Sequence, residues 1–322
     1  GGSAPLLGRA GSPGPREVST DAPYRGTFTP NITEAAYLDQ VTHHLQQLPT
    51  YLAGATAQGT VVALDIDGTI VNAGQQFSPR FRDVTKRLVA AGVQLCIATG
   101  RSIPATLPVV RGLGLESAWV VSTNGAVIGH FQLGAGYRMI QKHTFDAREI
   151  VAKLQAVFPQ ALFGVEDSPG GFRTNRAFPA GELTEIIAVA PLEELLAQPV
   201  TRAVLRVPGL GIAEFRRALQ AVDFAGVEHA IGLNTWLDLN PPGISKGTGI
   251  AQVCRELGTD PAHTAALGDG ENDVAMLRFA GYGVAVGTLD PEVVRAAKDH
   301  TFEVERDGSA AVLEALARYF GA

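Results

Sequence analysis

The sequence predicts an α/β protein: a doubly wound parallel-sheet core with an α+β domain inserted into it. Three observations point there. Strand-like and helix-like segments alternate from Thr60 onward and again towards the C-terminus. The strand-like segments "TVVALD", "VQLCIATG" and "AWVVST" are continuous apolar runs, the pattern of strands buried on both faces of a parallel sheet. Between the two alternating stretches lies a region of hairpin-like and mixed units that breaks the alternation.

The elements follow in order. The first thirty residues are rich in Gly and Pro, show no periodicity, and lack the charged and apolar regions of a signal peptide, so they are set apart from the fold. In "NITEAAYLDQVTHHLQQLPTYL", Asn31 and Glu34 open a helix. Tyr37, Leu38, Val41, Leu45 and Leu48 form its apolar stripe, and Pro49 ends it. The adjacent His43 and His44 read as solvated, because no further ligand type stands one turn away. "SPRFRDVTKRLVAAG" reads as an amphipathic helix capped by Ser78 and stopped at Gly92. A helix in "PATLPVVRGLG" and the third strand follow.

The middle opens with hairpin-like material from Ala126. It continues through a helix at 146–158, a strand "ALFGVE", a loop at 166–178, a strand "TRAVLRVP" and a helix "IAEFRRALQAV". "VEHAIGLNTWLDLN" then leads back to helices and strands in "GTGIAQVCRELG", "TAALGD", "NDVAMLRFA", "YGVAVG", "PEVVRAAKD" and "GSAAVLEALARYF". The expected organisation is a flexible extension with one helix at 1–58, a core at 59–136 and 236–322, and an inserted domain at 137–235.

Composition narrows the function. Hydrophobic residues make up 46% of the 322 and charged residues 18%, an ordinary globular balance. The net charge of −6, without a basic stripe, argues against a nucleic-acid partner. No apolar run reaches the ~18 residues of a membrane helix, so no membrane partner is expected. The two cysteines, Cys96 and Cys254, have no metal-ligand spacing and read as inert core thiols. The expected compartment is the cytoplasm; the oligomeric state is not legible.

Polar residues punctuate the apolar strands at one edge. Asp65 and Asp67 follow the first strand; Thr99, Gly100 and Arg101 follow the second; Thr123, Asn124 and Gly125 follow the third. Lys246 opens a helix, and Asp269, Asn272 and Asp273 follow a later strand. In an open parallel sheet, ligands bind beyond the carboxyl ends of the strands. Carboxylates gathered there repel, so a cation must be held there or their pKa values must rise, and hard oxygens suit Mg²⁺. Lys246, Thr99 and backbone amides near Gly68 and Gly100 would hold phosphate oxygens, which makes this a phosphoryl-transfer site. The first aspartate would attack phosphorus and the second would move a proton.

In these motifs the sequence resembles the haloacid dehalogenase superfamily. "DIDGTI" resembles its DxDGT motif, "ATGR" its second, Lys246 its third and "GDGENDVAM" its fourth. The insert after the second motif resembles the C2 cap of the Cof-type subfamily; the first ~58 residues lie outside the pattern. The resemblance implies Asp65 as nucleophile and metal ligand, and Asp67 as general acid/base with its carbonyl on Mg²⁺. It also implies Thr99, Gly100, Lys246 and Asn272 as phosphate binders, Asp269 as a further metal ligand, and Asp273 as a carboxylate behind the metal.

Arg101 and Asn124 are read as facing substrate. For Asn124 a plain hairpin-turn role stays open, because Asn-Gly is a strong turn signal. For Arg101, and for the loop with Arg173, Asn175 and Arg176, a solvated role stays open. The expected activity is Mg²⁺-dependent hydrolysis of a small phosphorylated metabolite, sugar phosphate-like, through an aspartyl phosphate. A phosphotransferase of phosphomannomutase type and a catalytically silent phospho-metabolite-binding protein are the alternatives.

Overall fold

The computed structural model describes residues 26–322 except 167–170, 184 and 233; the expected unstructured start of the chain at 1–25 lies outside the described residues. In chain order the elements begin with α1 Glu34–Tyr51, β1 Val61–Leu64, α2 Pro79–Ala90, β2 Gln94–Ala98, α3 Ile103–Gly112 and β3 Ser117–Ser122. Next come β4 Val127–Gln132, β5 Gly136–Lys142, α4 Arg148–Val157, β6 Leu162–Glu166, β7 Phe172–Thr174, β8 Ile186–Val189 and α5 Leu192–Leu195. Then follow β9 Arg202–Arg206, α6 Ile212–Leu219, β10 Glu228–Ile231 and β11 Trp236–Asn240. The chain closes with α7 Lys246–Leu257, β12 Thr264–Gly268, α8 Val274–Phe279, β13 Tyr282–Val286, α9 Pro291–Ala296, β14 Asp299–Thr301 and α10 Gly308–Phe320.

The large sheet runs β14-β13-β12-β1-β2-β3-β4-β5. Its first six strands are parallel and β4 and β5 form an antiparallel edge. β1, β3, β12 and β13 are buried almost throughout because helices cover both faces, which is why these strands read as unbroken apolar runs. One face packs with α1, α2 and α10 around Phe77, Phe81, Leu88 and Leu316; the other holds Ile250, Val253, Met276 and Leu277.

The second sheet, β10-β11-β9-β6-β7-β8, is mostly antiparallel and forms the cap with α4, α5 and α6. The chain leaves the large sheet after Lys142 and leaves the cap sheet after Asn240. The expected crossings at 137 and 236 therefore shift: β5 pairs with β4 of the core, and β11 pairs with β9 of the cap. In β11 the reading as a core strand fails because Leu237 and Leu239 alternate into the cap core while Trp236 and Asp238 face the other way.

Three expectations for the first helix are corrected. Thr33, not Asn31, caps it: its side chain accepts the Ala36 amide. Pro49 lies inside α1, two residues before its end, where the lost hydrogen bond disrupts only the final turn. His44 is fully buried rather than solvated, and His43 is half exposed. Tyr37, Val41, Leu48 and Leu52 join the main core, so α1 is a structural part of the domain.

Candidate active site

Each catalytic-motif residue sits where a strand ends or a helix begins. After β1 the chain turns back at Ile66, whose carbonyl accepts from the amides of Thr69, Ile70 and Val71. The turn needs Gly68 at φ +75°, where a Cβ would lie 2.3 Å from Asp269 Oδ2. Only glycine therefore lets the β1 loop approach the β12 loop so closely, and this approach brings Asp65 and Asp269 together. Thr69 Oγ1 lies 3.4 Å from Asp65 Oδ2 and 3.3 Å from Asp269 Oδ1.

Behind the two aspartates stands Lys246. Ser245 caps α7 reciprocally with Thr248, which fixes the start of the helix and the Lys246 side chain with it. The ammonium is wholly buried between Asp65 Oδ1 at 2.8 Å and Asp273 Oδ1 at 2.7 Å. Asp273 Oδ2 accepts the amides of Asp269 and Gly270, both at 3.0 Å, and so ties the β12 loop to the same charge cluster.

The electrostatics follow from this crowding. Burial alone would raise the Asp65 carboxyl, but the Lys246 charge and the surrounding hydrogen bonds bring it below the ordinary range. Burial would lower Lys246, yet Asp273 and Asp65 hold it well above its usual value. Asp269, buried beside ionised Asp65, is pushed up to about 8. Burial and the Asp65 charge push Asp273 up to about 7 against the pull of Lys246. The protein part of the site is therefore short of positive charge next to Asp65 and Asp269.

A cavity of about 490 Å³ lies between core and cap. Its core wall includes Asp65, Asp67, Thr99, Arg101, Asp269 and Asn272; Gly100 and Asn124 also line it. Its cap wall is Phe172, Leu183, Glu185, Arg202, Trp236 and Asp238. Every expected site residue except Lys246 and Asp273 reaches this cavity; those two lie behind Asp65.

The positions differ in kind. Thr99 is buried, and its Oγ1 accepts the Arg101 amide at 3.0 Å. Arg101 is not solvated: its Nε donates to Asp67 Oδ2 at 2.9 Å and its Nη2 to Gln75 Oε1 at 2.7 Å. Asn124 combines both of its open readings. It stands in the β3–β4 turn at φ 53°, and its Oδ1 accepts from Asn272 Nδ2 at 3.1 Å across the cavity floor. Thr123 also has a positive φ, of 50°, so two successive non-glycine residues hold a left-handed turn at the site. In the 166–178 loop, Asn175 and Arg176 do not line the cavity but bond the cap backbone at Phe163, Gln160 and Ala161.

The sequence reading missed the cap's charged residues. Arg202 donates through Nε to Glu166 Oε2 at 2.8 Å and through Nη1 to the Gly100 carbonyl at 2.5 Å. Glu166 Oε1 accepts from Thr123 Oγ1 at 2.6 Å, so this buried pair joins cap to core beside the loop that carries Thr99 and Gly100. Asp238 Oδ1 has no hydrogen-bond partner among the described residues, with Arg202 Nη1 3.8 Å away, and burial raises its carboxyl above the usual range. A signal was present: Arg202 is a charge in the otherwise apolar "TRAVL", and Asp238 shares a strand face with Trp236.

Residues 62–165 and 193–313 match the haloacid dehalogenase-like hydrolase family, and the unmatched residues between fall within the cap. The chain belongs to this family. It is a Cof-type phosphatase of the haloacid dehalogenase superfamily, built on the superfamily's α/β core and a C2 cap. It is 26% identical over 268 residues to the 5-amino-6-(5-phospho-D-ribitylamino)uracil phosphatase YitU of Bacillus subtilis, covering 79% of this chain and 96% of that one. It is 28% identical over 251 residues to the pyridoxal phosphate phosphatase YbhA of Escherichia coli, covering 72% and 89%. The solved structure of the haloacid dehalogenase superfamily phosphatase BT1666 from Bacteroides thetaiotaomicron superposes with a TM-score of 0.66 at 24% identity, over 84% of this chain and 99% of that one, a likeness of fold. No helix among the described residues is long and apolar enough to cross a membrane.

Proposed function

We propose that this phosphatase hydrolyses the phosphate monoester of a small metabolite, with Asp65 as the nucleophile and Mg²⁺ as its cofactor. The observation that carries the reading is the fully buried Lys246 ammonium 2.8 Å behind Asp65, which itself lines a cavity large enough for a metabolite. Lys246 keeps Asp65 ionised and so able to attack phosphorus. Phosphatase relatives that act on a ribitylamino-uracil phosphate and on pyridoxal phosphate support the substrate class.

The donor set fits the metal. Asp65 and Asp269 present carboxylate oxygens to one point, and Asp269 takes up a proton near neutral pH when no cation offsets it. Asp65, Asp269 and the Asp67 carbonyl would hold Mg²⁺, with Asp273 behind them. When bound, the ion supplies positive charge to the carboxylates and the phosphate.

The chain's own groups do the rest. Asp65 forms a bond to phosphorus as the bond to the leaving oxygen breaks, and Asp67 gives that oxygen its proton. Asp67 then takes a proton from water, which attacks the aspartyl phosphate and releases inorganic phosphate and free Asp65. Thr99, Gly100 and Asn272 line the wall where the phosphate oxygens sit, and Arg101 orients Asp67.

The test is kinetic. Asp65→Asn should abolish phosphate release from every substrate. Asp67→Asn should impair alkyl phosphates far more than p-nitrophenyl phosphate, whose leaving group needs no proton. Wild-type turnover by Asp65→Asn would refute the nucleophile, and equal losses for both leaving groups in Asp67→Asn would refute the proton role.

A further inference from the structure

We propose that Gln75 is a positioning residue for the reaction: it locks the Arg101–Asp67 ion pair so that one particular oxygen of Asp67 is left to carry the proton. The proposal rests on the reading of Asp67 as the group that moves that proton.

Backbone strain is the first observation. Gln75 has a φ of 59°, in the left-handed region where glycine fits freely. Gly74 stands directly before it, yet its own φ is not in that region. The turn is fixed by its neighbours. The Gln75 amide donates to the Asn72 carbonyl at 2.9 Å, and the Asn72 amide donates to the Gln76 carbonyl at 3.1 Å. Asn72 Oδ1 accepts the Gln76 amide at 2.9 Å, and Asn72 Nδ2 donates to Gln76 Oε1 at 3.2 Å. Asn72 and Gln76 therefore hold the loop without help from the Gln75 side chain. A side chain kept at a strained position calls for a use elsewhere.

That use is visible. Gln75 Oε1 accepts from Arg101 Nη2 at 2.7 Å, and Gln75 Nε2 donates to Asp67 Oδ1 at 3.3 Å. The guanidinium only donates and the carboxylate only accepts, so the amide has one workable orientation; flipped, it would set donor against donor and acceptor against acceptor. Arg101 closes the ring, donating through Nε to Asp67 Oδ2 at 2.9 Å and through Nη2 to Oδ1 at 2.5 Å. Among the described residues, Oδ1 thus takes two hydrogen bonds and Oδ2 one. Each carboxylate oxygen offers two lone pairs, so Oδ2 is the one with a lone pair open, and the proton moved in the reaction belongs there. The Asp67 side chain is 57% exposed, where an ion pair alone holds a carboxylate weakly. Gln75 bonds both partners at once and so gives the carboxylate a single orientation. It does not itself line the cavity, so it acts through Asp67 and not on substrate.

The experiment compares kcat/KM for p-nitrophenyl phosphate and phenyl phosphate in the full-length protein with excess Mg²⁺. The two substrates are similar in shape, but the phenyl leaving group needs the proton far more. Gln75→Ala should lose roughly tenfold on phenyl phosphate, a part of the ~10²–10⁴ that general acid–base catalysis supplies, and little on p-nitrophenyl phosphate. Gln75→Gly, which relieves the strained φ, should keep a thermal midpoint close to wild type and still show the same selective loss. Added to Asp67→Asn, Gln75→Ala should cost nothing further, because the group it positions is already gone. Wild-type values in Gln75→Ala, equal losses on both substrates, recovery in Gln75→Gly, or a further loss in the Asp67→Asn background would each overturn the proposal and leave the role of Asp67 standing. Equal losses on both substrates in Asp67→Asn alone would overturn the proton role, and this proposal with it.

Discussion

Replacing Lys246 with Met separates what the buried ammonium does for stability from what it does for the reaction. It contacts Asp65 at 2.8 Å and Asp273 at 2.7 Å with no exposure to solvent. At an effective dielectric constant of about 20, each contact is worth ~6 kcal/mol of gross attraction, much of it offset by desolvation and by repulsion between the two carboxylates. Removing one partner of a buried pair leaves a net loss of about 3–5 kcal/mol, because the remaining charges are stranded. Asp65 should respond by taking up a proton, which silences it as a nucleophile. Turnover should therefore fall by about 10²–10³, the scale for losing one preorganised charge, and the acid limb of the pH–rate profile should move to higher pH. Adding Asp273→Asn removes one stranded carboxylate, so the double variant should regain much of the lost stability in urea titrations without regaining rate. A double variant that recovered turnover along with stability would refute the argument, since Lys246 would then act only as a structural counter-ion.

Two further outcomes are expected. Asp269 in the metal-free protein is held up to about 8 against an unfolded value near 4, so its folded form binds the extra proton between those pH values. Metal-free stability should therefore fall as pH rises from about 4 to about 8, and Mg²⁺ binding at pH 7 should release close to one proton. Calorimetry in buffers of different ionisation enthalpy measures the release, and none at pH 7 would contradict it. Leu48→Ala in α1 should cost about 2–5 kcal/mol in denaturant titrations while the folded fraction turns over normally, because Leu48 is fully buried in the main core; a surface-like loss below ~0.5 kcal/mol would show that α1 is dispensable.

What could be read from the sequence and what could not divide along the reach of each interaction. Asp65, Thr99 and Asp269 were legible because each follows an apolar run, and a parallel sheet gathers such strand ends along one edge. His44 shows the opposite case. It lies three residues after Val41 and four before Leu48, on the buried stripe, but its partner Asp299 stands 255 residues away and no local pattern announces it. Arg202 was hidden for a similar reason: its meaning comes from Glu166 across the cap sheet and Gly100 across the cavity. The limits of the cap were misplaced because β11 carries apolar residues as a core strand would, and only its antiparallel pairing with β9 assigns it to the smaller sheet.

The Arg202–Glu166 pair bears on how the cavity can open. Both residues belong to cap strands, and among the described residues only their outward contacts, to the Gly100 carbonyl and the Thr123 hydroxyl, cross to the core. Lifting the cap would break those two hydrogen bonds but keep the ion pair whole, so neither side chain would be left as a lone charge. The clasp travels with the moving part, and what it releases on the core side is an uncharged carbonyl and an uncharged hydroxyl, both of which water can serve. Product could then leave and substrate enter without the cost of separating buried opposite charges on each turnover.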